Sequence, residues 1–550
     1  MPELEGRLEL TWTNKDKRLL AHEDGSYVWV VPSDYRVAEV RLLDNAGAVG
    51  KVNSKGKRAA DNLLIRGDSL NALTSLTELP EFASEYVGRV KLAYLDPPFN
   101  TQQSFLHYDD ALEHSVWLTM MRDRLVEIRK LLSERGSVWL HLDDAELAYA
   151  RVMLDEVFGR PNFVGCVVWE KTYTPKSNGR GLSTDHDYIV VYAKDAESWL
   201  KDGWNLLPRS DEQTGRFSNS DEDQNGPWRT YPLDVRTEDD AKRAGYRYEV
   251  VTPSGRKVKP AQGRHWALPK ERFERERAEG AIWFGKGGGA MPTRKVYLKD
   301  ARPGVIARTW WPHAEVGGSQ EAKREIKVLF PNIEPFATPK PEAFMERIMR
   351  IGSNKGDIVL DCFLGSGTTA AVAHKMGRRW VGIERSCETL DTYAIPRLTE
   401  VVKGTDAGGI TEAVGWDGGG GFRLLDVAPS MFLADEGSVF IAAWASNGKL
   451  AEVTAAQLGF DFEADPPYTG RRGRSRLAVI DGLVNADVAT MLVQALPEGE
   501  LLTLCGTAVD PDARSVLRNL RRGSTVRKIP ASILAEYRSA RWQPSSNGSG

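Results

Sequence analysis

Cysteine is scarce. The 550-residue chain has four, Cys166, Cys362, Cys387 and Cys505, and no two of them stand in C-x-x-C spacing. That pattern excludes a disulfide framework and a zinc site, and the thiols read as free in a reducing, cytoplasmic compartment. Long apolar runs are also missing. No stretch approaches the length of a membrane span, and no basic segment followed by an apolar one opens the chain, so neither a membrane anchor nor a secretory leader is expected. There is no internal repeat and little net charge; −3 overall argues against a protein that coats polyanions. What remains is an ordinary globular composition, 41% hydrophobic and 27% charged, long enough for two to four domains.

The most informative segment is Asp96-Pro97-Pro98-Phe99-Asn100. It follows the apolar run Val90–Leu95, which reads as a buried strand of a parallel sheet. Two prolines stop the ladder and hold the backbone in an extended turn. A carboxylate, a proline carbonyl and an aromatic face then stand at a strand's C-terminal edge, where open α/β sheets bind ligands. Two acceptors and a ring suit a planar amino group: the acceptors take its N–H bonds and Phe99 stacks on the heterocycle, while Asn100 helps to fix the turn.

A second signature is Asp361-Cys362-Phe363-Leu364-Gly365-Ser366-Gly367-Thr368-Thr369, between a strand-like Asp357–Leu360 and a helix-like Ala370–Met376. A glycine-rich strand-to-helix turn lets a ligand approach the backbone and aims helix N–H groups at it. The next apolar run, 380–383, ends in Glu384, placed to accept bonds from ribose hydroxyls. Alone, this turn also fits a nicotinamide enzyme. Two glycines without a further phosphate-binding pattern, together with the Asp-Pro-Pro-Phe turn, favour S-adenosyl-L-methionine.

With both turns in view, residues 60 to 425 resemble the amino-group DNA methyltransferases of the beta arrangement, above all the modification subunits of type III restriction–modification systems. Asn62–Leu70, His114–Leu118, Gly136–Asp144, His186–Tyr192, Thr338–Glu342 and Gly418–Arg423 carry the resemblance beside the two turns. It implies a Rossmann-like class I methyltransferase core with an inserted target-recognition region and a small C-terminal α/β domain. It also implies a site-specific enzyme that methylates adenine N6 of a flipped base in double-stranded DNA. Asp96, Pro97, Pro98 and Phe99 would be catalytic. Asp68, Lys340, Asp361, Phe363, Gly365, Ser366, Gly367, Thr368 and Glu384 would hold S-adenosyl-L-methionine. The resemblance further implies a homodimer and a separate helicase–nuclease restriction subunit as partner. Phe99 stands where many relatives carry Tyr, and either ring stacks. Cytosine N4 is the alternative target, since both bases present an equivalent amine; Asp at the head of the motif favours adenine. A cytosine-C5 route is disfavoured because no Pro-Cys pair is present. A DNA-recognition and docking subunit, with methylation secondary, is the other reading. Asp68 equally suits a plain turn residue in Gly67-Asp68-Ser69, Asp361 a cap, and His114 a structural residue at a helix start.

The chain order suggests an N-terminal extension (1–60), a catalytic half (61–165), a target-recognition region (166–335), a cofactor half (336–405) and, after a glycine-rich boundary, a separate C-terminal domain (425–545). A helix is expected over 115–134 and another over 341–351. Within the recognition region, residues 241–310 carry 17 Lys/Arg against 6 Asp/Glu, and the preceding 171–240 carry 9 against 14. The basic block is interleaved with Tyr246, Tyr248, Trp266, Trp283, Phe284, Tyr297, Trp310 and Trp311, the footprint of a phosphate-contacting surface. Lys257, Lys259, Arg264, Lys286, Arg294 and Lys295 are its candidate DNA contacts; a solvated charged face over an aromatic core is the bland alternative. A second Asp-Pro-Pro-Tyr, at 465–468, follows polar residues rather than a buried strand and reads as a loop. The tail from Ser545, rich in Ser, Asn and Gly, is expected to be disordered.

Overall fold

The computed structural model describes residues 9–529 except 22–26, 33, 35, 38, 54–57, 100–103, 106–107, 110–112, 174–181, 220, 237–243, 436–437 and 442–447. Asn100 and the tail from Ser545 therefore lie outside the described residues. The chain divides into two compact units, Met1–Asn205 with Arg308–Gly550, and Leu206–Ala307.

In the first unit the strands of the main sheet are β1 (Leu43–Gly50), β2 (Asn62–Arg66), β3 (Val90–Leu95), β4 (Leu132–Leu142), β5 (Phe163–Glu170), β6 (His186–Ala193), β7 (Trp310–Trp311), β8 (Ile358–Asp361), β9 (Arg379–Glu384) and β10 (Gly421–Val427). They form one sheet in the order β7-β5-β6-β4-β3-β8-β9-β2-β10-β1. Neighbours from β4 to β10 run parallel. β6 is antiparallel to both β4 and β5, and β1 is antiparallel to β10 at the far edge.

All residues of β3 and of β8 are buried, as strands covered on both faces require. Side chains alternate across the sheet. Ala93 and Leu95 join Leu73 and Leu76 of α1 (Ser69–Glu78) and Leu125 and Ile128 of α2 (His114–Leu131) in the main core. Tyr94 points the other way, its ring meeting Phe344 of α3 (Glu342–Gly352) at 6.4 Å. α4 (Thr368–Lys375) and α5 (Ile395–Lys403) follow the glycine turn. From β8 the chain winds outward through β9; from β3 it winds the opposite way through β4. The doubly wound, Rossmann-like architecture thus has its switch point between β3 and β8, where such sheets take ligands.

Several boundaries differ from expectation. α2 stops at Leu131, earlier than 134, because Leu132 is already paired with Val90 and opens β4. The compact insertion is Leu206–Ala307, narrower than 166–335, because β5, β6 and β7 are ladder-bonded members of the main sheet. The C-terminal region builds its own five-stranded sheet, Asp461–Asp465, Tyr468–Arg472, Ser475–Val484, Leu501–Val509 and Thr525–Lys528. It is not a separate body: Leu483 and Ala508 pack into the main core. Asp465-Pro466-Pro467-Tyr468 is the turn of a hairpin there, and Tyr468 is buried with its hydroxyl donating to the Leu492 carbonyl.

The second unit has a core of Leu233, Val250, Val258, Trp266, Leu268, Phe273, Ile282 and Phe284. Trp266 and Phe284 of the basic block are therefore core residues, and Trp310 and Trp311 belong to the first unit as β7.

Candidate active site

Asp96 is the first residue past β3. Its Oδ2 accepts a hydrogen bond from the Lys340 ammonium, and the two side chains come from opposite ends of the core, 244 residues apart. The other oxygen, Oδ1, is buried and has no hydrogen-bond partner among the described residues. A buried acceptor left open is costly, and here it stands at a strand's C-terminal edge, where a ligand's donor can reach it. The turn is fixed from behind, Trp117 Nε1 of α2 donating to the Pro98 carbonyl over 2.7 Å. Phe99 is half-buried, with the Lys340 ammonium 5.6 Å from its ring centroid.

The glycine turn leaves the adjacent strand. Phe363 N–H donates to Asp361 Oδ1 at 2.9 Å, and Gly365 N–H donates to Glu384 Oε2 at 2.9 Å, so the tip of β9 holds the turn. Glu384 Oε1 takes a further backbone bond from Ser386. Gly367 is left-handed, φ +84°, and a Cβ there would stand 3.3 Å from the Ala394 Cα; only glycine suits both demands. Burial pushes the Asp361 carboxyl up to about 7, against bonds from Thr369 and the Phe363 amide, and the charges of Asp96 and Glu384 add to the rise. Asp361 feels Asp96 because β3 and β8 are paired neighbours.

Asp68 caps α1, its Oδ1 accepting from the Leu70 and Asn71 amides, and its Oδ2 takes Arg124 of α2 at 2.7 Å. The same guanidinium lies 5.9 Å from the Phe363 ring centroid, so this capping pair borders the glycine turn. Lys340, expected to help hold the cofactor, rests its ammonium on Asp96. Ser366 and Thr368 are buried, and Thr368 Oγ1 accepts from Arg397 of α5 at 2.8 Å. Sequence reasoning missed the cluster behind them. Glu342 of α3 pairs with Arg397 and with Lys375 of α4, each at 2.8 Å, and all three are buried. It locks the helix following Lys340 to the helix following the glycine turn. Glu342 was visible in the motif 338–342, but nothing in spacing pointed to Lys375 or Arg397. His114 opens α2 and its Nδ1 meets Glu146 at 2.9 Å, a structural contact.

Also missed were His141 on β4 and Asp187 on β6. His141 is fully buried; its Nδ1 lies 2.8 Å from the Tyr94 hydroxyl and 3.8 Å from Asp96 Oδ1, and its Nε2 lies 3.3 Å from Asp187 Oδ2. Asp187 in turn pairs with Lys171 at 2.6 Å. His141 lies in a stretch of β4 that is buried throughout, so no alternation singled it out, and the partners of its ring are all distant in the sequence.

In the second unit the candidate DNA contacts divide. Lys257 and Lys259 extend outward, 69% and 62% exposed, near Glu249. Lys286 is exposed within Gly285–Gly289. Arg264 pairs with Asp234 and Arg294 with Glu276. Lys295 is different: its side chain is 6% exposed and its ammonium is held by Asp221 at 2.6 Å and Asp223 at 2.5 Å. Held by two aspartates, the Lys295 ammonium is turned away from solvent, unlike those of Lys257 and Lys259.

Residues 90–394 match the model of the N6/N4-type DNA methylases. Among curated proteins, the chain is similar to the Mod subunit of the type III restriction–modification enzyme StyLTI of Salmonella typhimurium, 32% identical over 56% of this chain and 49% of that one. It is similar to the EcoP15I Mod subunit of Escherichia coli, 26% identical over 58% of this chain and 57% of that one. It is also similar to the type II methyltransferase M.EcaI of Enterobacter cloacae, 29% identical over 54% and 62% respectively. The chain spans about half the length of the type III relatives it matches.

Proposed function

The chain belongs to the N6/N4-type DNA methylase family, and from that premise we propose that it transfers a methyl group from S-adenosyl-L-methionine to adenine N6 in double-stranded DNA. The observation that carries this reading is the meeting of two turns at one switch point: a carboxylate with an open buried oxygen after β3, and a glycine turn tied to Glu384 after β8.

An exocyclic amine is a weak nucleophile because its lone pair is spread into the ring. Asp96 Oδ1 and the Pro97 carbonyl would accept its two hydrogens and favour the pyramidal form, with Phe99 against the base. Alignment and preorganised acceptors supply most of the barrier reduction. The base must leave the duplex, at a cost of a few kcal/mol; the exposed lysines of the second unit, Lys257, Lys259 and Lys286, are the proposed source of phosphate contacts. For the cofactor, the Gly365–Gly367 turn, the amides opening α4 and the acceptor at Glu384 fit a nucleoside carrying a short zwitterionic arm, with Asp68, Asp361, Phe363, Ser366 and Thr368 around it. When bound, it supplies an electrophilic methyl on a sulfonium.

The relatives' names support a place as modification component of a type III-like restriction–modification system; a helicase–nuclease subunit and a second copy of this chain are the partners that go with this reading. Incubation with DNA and S-adenosyl-L-methionine followed by mass analysis of nucleosides tests the activity. N6-methyladenine is expected; N4-methylcytosine would move the target, and neither product would overturn the reading. Asp96→Ala should abolish transfer while cofactor binding persists, and turnover by that variant would refute the role of Asp96.

A further inference from the structure

Behind Asp96 lies a buried polar chain that methyl transfer as described does not use. Asp96 Oδ1, which has no hydrogen bond among the described residues, faces His141 Nδ1 at 3.8 Å. On the far side of the imidazole, Nε2 meets Asp187 Oδ2 at 3.3 Å, and Asp187 Oδ1 meets the Lys171 ammonium at 2.6 Å. His141 is 0% exposed and Asp187 3% exposed, whereas the Lys171 side chain is 27% exposed, so the chain runs from the catalytic carboxylate to the surface.

The protonation states follow from the partners. Bonds from His141 and Lys171 hold Asp187 below the usual carboxylate range although burial opposes them, so it is ionised and only accepts. His141 Nε2 therefore carries the hydrogen. Burial, then the nearby Lys340 charge, push the imidazole below its ordinary value, so at rest it is neutral and Nδ1 is a lone pair, which the Tyr94 hydroxyl uses. The charged and titratable neighbours among the described residues are Tyr94 and Asp96 from β3, Asp187 from β6, and Lys340. The remaining contacts are the rings of Phe99, Trp169 and Phe344.

Once the base nitrogen has gained its methyl, it must lose a proton. We propose that His141, oriented by Asp187, is a positioning residue that receives this proton from Asp96 and returns the carboxylate to its ionised form. The inference rests on the methyltransferase reading above. In the step, the base N–H bond breaks and an O–H bond forms on Asp96 Oδ1. That bond then breaks as N–H forms on His141 Nδ1, from which the Tyr94 O–H turns away; Asp187 holds the imidazolium through Nε2–H, and the Nδ1 proton passes to water as the product leaves, which restores neutral His141. No oxidant, reductant or co-reactant is needed. The 3.8 Å gap must shorten, as catalytic contacts do when substrate is bound. Asp187 stabilises the transient imidazolium, the part a carboxylate plays behind histidine in other proton-transfer sites.

The test uses the full chain, DNA and S-adenosyl-L-methionine, with steady-state kcat and KM measured from about pH 5 to 9. The wild-type rate should rise with pH along an acid limb, because only neutral His141 accepts. His141→Gln should lower kcat about 100-fold, leave KM for DNA and the Kd for cofactor unchanged, and erase that limb. Asp187→Asn, which keeps shape and so guards against a variant that fails to fold, should move the limb to lower pH. Wild-type kcat and pH profile in His141→Gln would overturn the relay, as would an equal loss at every pH with the limb unmoved in Asp187→Asn, the pattern of a packing role. Absence of methylated base from the wild type is a different result: it would overturn the parent reading and the relay together.

Discussion

Asp361→Asn offers a measurement of how strongly the core presses on the site. The wild-type carboxyl titrates at about 7, against 3.8 for the ordinary group, chiefly because it is buried. The folded chain thus holds this proton more tightly than the unfolded chain. Its contribution to stability is fully present below the unfolded value and is lost as pH rises to the folded one. A gap of about three units corresponds to roughly 4 kcal/mol in total. Between about pH 5 and pH 8 about 3 kcal/mol of it disappears, since the loss ends near pH 7. Asn retains an oxygen for the Phe363 amide and cannot titrate. Urea unfolding of both proteins at several values from about pH 5 to pH 8 should show wild type losing ground to the variant by about 3 kcal/mol across that range. Glu325, also raised to about 7 by burial, titrates in both proteins and cancels in the difference. A stability gap that stays constant over the same range would refute the burial argument for Asp361.

Other changes separate packing from binding. Asp68→Ala strips the cap of α1 and leaves the buried Arg124 without its carboxylate; a loss of about 3–5 kcal/mol is expected in thermal or urea unfolding. Gly367→Ala forces a left-handed alanine against Ala394, costing about 1–2 kcal/mol, and should weaken cofactor binding in calorimetry. Replacing Lys257, Lys259 and Lys286 by Gln should flatten the salt dependence of DNA affinity, by about 0.9 in log–log slope for each phosphate no longer neutralised. Lys295→Gln should instead lower the melting temperature of the second unit, because Asp221 and Asp223 are deprived of their shared cation.

The two turns were legible because each follows a run that is apolar, save for Lys91 near the start of the first, and such runs in a parallel sheet are buried on both faces. Val90–Leu95 and Ile358–Asp361 have no polar alternation to confuse the reading. The edge strand Leu43–Gly50 escaped notice: half-exposed and glycine-bearing, it has no pattern apart from its partner β10. The same holds for Asp461–Asp465, whose polar residues suit an edge and read as loop. Counting charges exposed the basic block but could not reveal that Lys295 is neutralised by aspartates more than seventy residues upstream. Nor could spacing find that Lys340 rests on Asp96, or that Glu342, Arg397 and Lys375 bind three helices together, because these are contacts of the folded chain alone.

The pairing of β3 with β8 has a consequence for how the protein comes into being. A growing chain that has just emerged through Asp96 presents an apolar strand whose central neighbour is still untranslated, and the whole insertion must be made before that edge is covered. Exposed strand edges invite pairing with the wrong chain. Fragments ending before Ile358 should accordingly be sticky and inert, whereas two pieces cut within the insertion and produced together have every ladder partner they need to complement each other.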